Sequence, residues 1–172
     1  MLGVRLSLPP APLKPVDRGV PRAGILAELR KQEWRLDEET DAWVGGRSVG
    51  LAGVPDPFYL LCQYFFFSAK DEEFDKLVND ESAAVRAMVA VCLVSGDHGP
   101  TDWRLDKLKD DPARLTVTAY GCVGTYMSLG EFVAKLRTDA AFLSYFHPRG
   151  WPTDSLLKRV DPPGDPSANS VP

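Results

Sequence analysis

The feature that most constrains this chain is an internal echo. DKLVNDESAAV begins at Asp75 and DKLKDDPARL begins at Asp106, an offset of 31. After a one-residue contraction the offset becomes 30, which pairs Cys92 with Cys122; the same step backwards lands on Cys62. Self-similarity at a fixed period of 20–50 residues is the mark of a stacked repeat, whose units bury their apolar faces only against neighbours. Each unit reads as a short helix, an Asp-rich turn and a longer helix. The cysteines then mark equivalent places in three successive long helices, where a small apolar side chain lets neighbours approach.

Helical patterning supports this reading. Ser82 is placed to cap a helix with the stripe Val85, Met88, Val89, Cys92 and Leu93, spaced i, i+3, i+4, i+7, i+8. Asp71 opens a short helix with Phe74, Leu77 and Val78 on one face. Asp111 precedes Pro112, which suits the first helical position, and the stripe Leu115, Ala119, Cys122, Val123, Tyr126 continues from it. Ser128 and Glu131 form a capping-box pair before Leu129–Leu136. Phe58–Ala69 is apolar nearly all round, as in a buried helix, with a buried strand pair as the competing reading. Further helices are expected over Arg22–Leu36, at Trp103–Leu108, over Asp139–Phe146 and over Trp151–Val160. Gly45, Gly46, Gly50 and Gly53 make 41–57 a loop. The expected fold is therefore all-α, a short right-handed α-solenoid over 22–160. A Pro-rich disordered arm over 1–21 and a disordered tail over 161–172 flank it.

NDESAAVRAMVAVCL resembles the second half of a HEAT-like repeat, in which an Asp turn leads into a Val-Arg pair and a small-residue helix; here these are Asp80, Val85 and Arg86. The resemblance implies a ladder of Asp and Arg along the inner turns, with Asp80, Arg86 and Asp111 as its rungs. Thr116 stands where the next unit would carry Arg. Three segments, Gly45–Leu61, Asp71–Leu93 and Tyr120–Phe132, are similar to an uncharacterised group of bacterial HEAT-like proteins, and this similarity speaks to fold alone.

Charge narrows the partners. Residues 1–35 carry seven Lys or Arg against three acids, a charge of +4; the whole chain is at −4, which leaves −8 for the remainder. DEETD (37–41) and DEEFD (71–75) concentrate acid at helix starts, where carboxylates are favoured. Phosphate neutralisation needs a basic face, so nucleic acid is disfavoured. No apolar run is long enough to span a bilayer, no secretory leader is evident, and three cysteines suit a reducing cytoplasm.

The search for chemistry yields no catalytic, cofactor or metal site. His98, His147 and the three spaced cysteines give no ligand pattern. GGRSVGLAG fits neither phosphate-loop pattern, leaving Arg47 as the residue to test as an anion contact. Phe58, Tyr59, Tyr64, Phe65, Phe66 and Phe67 crowd one helix, and a few of them, with Trp103, Phe146 and Trp151, are candidates for an exposed aromatic patch. The expectation is a non-enzymatic module that binds a basic protein, of the inhibitor or immunity type, with Glu72, Glu73, Trp103 and Arg47 as contacts. The alternatives are a HEAT-like nucleic-acid or DNA-repair protein, similar in architecture to the alkyl-base glycosylases, and a structural repeat of a larger assembly.

Overall fold

The computed structural model describes residues 22–32 and 39–148. The expected arm at 1–21, the tail at 161–172 and the Trp151–Val160 helix lie outside the described residues. Within them the chain runs α1 (Arg22–Lys31), β1 (Ala42–Val49), α2 (Pro57–Ser68), α3 (Asp71–Leu77), α4 (Ala83–Ser95), two 3₁₀ turns (Gly99–Thr101 and Trp103–Lys107), β2 (Arg114–Gly121), β3 (Thr125–Ser128), α5 (Leu129–Thr138) and α6 (Ala140–Phe146). This is a mixed α/β fold, not the all-α solenoid that the echo predicts.

Two segments make the difference. The glycine-rich 41–57 stretch holds β1, and the stretch after Pro112 holds β2 and β3. β1 and β2 are parallel, with Trp43 opposite Thr116 and Val44 opposite Val117, and β3 returns antiparallel with Tyr126 opposite Thr116. The sheet order is β1-β2-β3. Parallel neighbours need a long crossover, and α2, α3, α4 and the 3₁₀ turns supply it. In β2 the β-branched run Thr116, Val117, Thr118 is buried on both faces, as a strand favours and a helix does not. Asp111 does not cap a helix: its Oδ1 accepts from Ala113 N–H at 3.0 Å and turns the chain into β2.

The echo is real in its first half only. Asp75–Leu77 ends α3, and Asp106–Leu108 ends a 3₁₀ turn, so both DKL segments close a short helical piece. Beyond them, the Ala-rich SAAVRAMVA continues as α4 while PARLTVTAY becomes a strand. Cys62 and Cys92 sit on α2 and α4, with the Cys92 thiol 4.0 Å from the Cys62 carbonyl. Cys122 is exposed in the β2–β3 turn and belongs to no helix.

α4 is the centre of the molecule. Every residue in it except Arg86 is buried, and α1, α2, α3, α5 and β1 all pack against it. Ser82 caps it as expected, accepting from Val85 N–H. The Ser128–Glu131 capping box forms at the start of α5, and Asp139 caps α6 through Phe142 N–H. Among the described residues no helix is long and apolar enough to cross a membrane.

Candidate functional site

The end of α2, the start of α3, the end of α4 and the 3₁₀ turns enclose a half-open cleft of about 320 Å³. Its apolar wall is built by Phe66 and Phe67 at the end of α2, Phe74 on α3, and Cys92 and Leu93 at the end of α4. α2 ends here because Ala69 leaves the helical backbone, after which Lys70 begins a capping arrangement for α3: its N–H is 2.7 Å from Glu73 Oε2. The polar wall is Asp71, Asp97, His98, Asp102 and Arg104.

Arg104 organises that wall. It is 3 % exposed, and its guanidinium is held by three carboxylates. Nε donates to Asp102 Oδ1 at 2.9 Å and Nη2 to Asp102 Oδ2 at 2.7 Å. Nη2 also donates to Asp71 Oδ1 at 2.8 Å, while Nη1 donates to the Asp71 carbonyl at 3.2 Å and to Asp75 Oδ1 at 3.4 Å. A guanidinium has five N–H donors, so these contacts use all of them. Asp102 also caps its own 3₁₀ turn through Arg104 N–H. The hydrogen bond from Arg104 holds Asp102 below the usual carboxylate range, against the opposing effect of burial. That same bond raises the Arg104 guanidinium further above its ordinary value. The Arg104 guanidinium lies 5.8 Å from the Phe74 ring centroid, and Lys107 Nζ lies 4.9 Å from that of Trp103. Phe74 and Trp103 thus already face the chain's own cations, while Phe67 is left exposed.

The acceptors are in the opposite condition. Asp71 Oδ2 and the whole Asp97 carboxylate take no hydrogen bond among the described residues. Both side chains are exposed at the mouth. Three carboxylates around one guanidinium, with Asp97 beside them, leave the cleft negative.

The sequence-predicted contacts divide accordingly. Glu72 is exposed on α3 beside the cleft, Glu73 is engaged as the α3 cap, and Trp103 is 61 % exposed next to Asp102. Arg47 lies half-buried on β1 and does not line the cleft. Of the six crowded aromatics, Phe58, Tyr59 and Phe65 are core and Phe67 is 57 % exposed. The three ladder residues do meet. Arg86 holds Asp111 through Nε at 2.7 Å and Nη2 at 3.2 Å, and its Nη1 donates to the Asp80 carbonyl at 2.6 Å. The Asp80 carboxylate is held in turn by Arg30 Nη2 at 2.6 Å. Burial pushes the Asp80 carboxyl up, but the Arg30 and Ser82 donors outweigh it and hold it below its ordinary value. This network ties α1 and α4 to the start of β2 rather than running along a solenoid. Sequence reasoning missed Arg104 and Asp102 as the centre of the site. The signal was the alternation Asp-Trp-Arg after a Gly-Pro turn, which puts a capping Asp two residues before an Arg.

Among the described residues no group of three or more His, Cys, Asp or Glu side chains is arranged to hold a metal ion. Burial pushes the thiols of Cys62 and Cys92 up, away from thiolate character. The fold and site define a small α/β domain with an acidic, aromatic-walled cleft. No family model, no curated protein and no solved structure matches the chain.

Proposed function

We propose that the chain is a non-enzymatic protein-binding module whose acidic cleft face engages a basic partner, in the manner of an inhibitor or immunity protein. The observation that carries this is the asymmetry of the cleft: its one guanidinium is fully engaged inside the protein, while carboxylate oxygens and aromatic rings face outward. A negative, aromatic-rich face favours encounter with a positive one and gives anchors for it. Glu72 and Trp103 extend that face beyond the cleft mouth. The reading places the protein in the cytoplasm, supported by its three free cysteines. The alternatives, a glycosylase-like nucleic-acid protein and a repeat element of an array, share with the binding module the expected solenoid as their starting point; the negative cleft face favours the module over a nucleic-acid partner.

The test is affinity capture with the full chain from a lysate of its own host, followed by titration of the purified partner. The expected result is saturable one-to-one binding that weakens with salt and falls at least about tenfold in Asp97→Lys. No saturable protein partner, or one indifferent to Asp97→Lys, overturns the reading.

A further inference from the structure

We propose that the cleft between α2, α3, α4 and the 3₁₀ turns receives one arginine or lysine side chain of the partner. Its methylene stem would lie on the apolar wall and its cationic head at Asp71 and Asp97. This rests on the protein-binding reading above and deepens it by naming the chemistry of the occupant.

Three observations converge. The first is the hydrogen-bond balance. The guanidinium of Arg104 has no donor left, so among the polar side chains of the cleft only His98 offers a donor to an anionic or acceptor ligand. Asp71 Oδ2 and Asp97 offer acceptors without partners among the described residues, so the ligand must bring donors. The second is charge. Asp71, Asp75 and Asp102 exceed the single positive charge of Arg104, and Asp97 adds to the excess. A cation entering the cleft relieves that excess, which a neutral donor of the same shape does not. The third is the apolar wall. Phe66, Phe67 and Leu93 form a surface for an aliphatic stem, and long basic side chains lie along such surfaces with their heads in water. The cleft volume of about 320 Å³ accommodates one such side chain and no folded element. Phe74 shows the ring chemistry already in use, since Arg104 sits over it.

The experiment is an NMR titration of the full chain with N-acetyl-arginine amide and N-acetyl-lysine amide, using N-acetyl-citrulline amide as the neutral isostere. The expected result is saturable binding of both cationic probes, with dissociation constants on the order of millimolar. Shifts should centre on Phe67, Leu93 and Asp97, and citrulline should bind at least about fivefold more weakly. Asp97 is exposed and makes no bond that the fold needs, so Asp97→Asn should remain folded and weaken both cations by a few-fold. Equal binding of citrulline, shifts away from the cleft, or unchanged affinity in Asp97→Asn overturns the proposal. Capture of a basic protein with no binding of the small cations removes the pocket assignment and leaves the module. Binding of the small cations with no captured protein removes the module and leaves the pocket.

Discussion

Asp56 serves two partners at once. Its carboxylate accepts from Phe58 N–H at 2.8 Å, which caps α2, and from the Trp43 indole N–H at 3.2 Å, which ties that cap to β1. It also fills the space where a side chain at Gly45 would begin, so residue 45 must be glycine. Burial pushes its carboxyl up to about 6, and the two donors offset this only in part. A folded-state value above the unfolded one means that the folded protein binds the proton more tightly. The resulting stabilisation is fully present below about pH 4 and is lost as pH rises through 6, a span of about 3 kcal/mol. Asp80 and Asp102 run the other way, because their carboxyls are held low; their stabilisation is present above the ordinary carboxylate range and is lost on acidification. Asp56→Asn isolates the first effect. In urea unfolding from pH 4 to 7, the stability of the native chain relative to Asp56→Asn should be greatest at pH 4 and decline towards pH 7. A constant difference across that range shows that Asp56 does not titrate there. Asp56 falls within the loop expected over 41–57, although Asp-Pro before an apolar run is the signal of an N-cap followed by proline at the first helical position. The tie to Trp43 has no such signal, because it depends on a strand that the glycines concealed.

At the scale of elements, the edge strand β1 and the central strand β2 explain both what was misread and how β1 is held. Gly45 and Gly46 read as loop residues, yet each marks a close approach: the Asp56 carboxyl lies over Gly45 and the Ala119 carbonyl over Gly46. Glycine inside a strand often records such contact, and a local count of turn-forming residues cannot separate that from a true loop. β2 failed for a different reason. Leu115, Ala119, Cys122, Val123 and Tyr126 fit a helical period, but Leu115 and Val117 also alternate with Thr116 and Thr118, and the β-branched run decides between the two. The helices were readable because their caps and stripes agree, as at Ser82 and Ser128. β1 is an edge strand, and its outward backbone at Trp43 is met by a side chain. Gln32 Oε1 accepts from Trp43 N–H at 2.8 Å and Gln32 Nε2 donates to the Trp43 carbonyl at 2.6 Å. The amide thereby imitates a neighbouring strand and blocks pairing with another chain. Gln32 holds a left-handed backbone, φ 42°, in doing so. Gln32→Ala should cost about 2 kcal/mol for the two lost bonds and speed hydrogen exchange at the Trp43 amide. It should also raise the tendency to aggregate through the opened edge. Unchanged protection at Trp43 shows that the strand does not depend on this contact.

The whole molecule tests the difference between a solenoid and the observed fold. In a solenoid each repeat touches only its neighbours, so removing the last units leaves the rest folded. Here the closing contacts are long-range in sequence. Ala42 of β1 pairs with Leu115 of β2 across the whole crossover, and α4 packs against α5 from the C-terminal third as well as against α1, α2 and β1. A chain ending at Asp110 would keep β1 and α4 but strip the parallel partner from one and α5 from the other. Leu115, Val117, Leu129, Phe132, Val133, Leu136 and Phe146 would leave the core together. Each such side chain contributes roughly 1.5–3 kcal/mol when fully buried, and their sum, on the order of 10–20 kcal/mol, is as large as the total stability of an ordinary domain, about 5–15 kcal/mol. The 1–110 fragment should therefore show no cooperative urea transition and no ordered near-UV signal, whereas the full chain should unfold in one transition common to both probes. The acidic cleft lies wholly within 1–110, since Phe66 to Arg104 build it. Even so, the fragment should fail to bind N-acetyl-arginine amide, because α4 presents Cys92 and Leu93 only while its other faces are packed. A fragment that unfolds cooperatively and binds the probe would show that the helical crossover stands without the sheet.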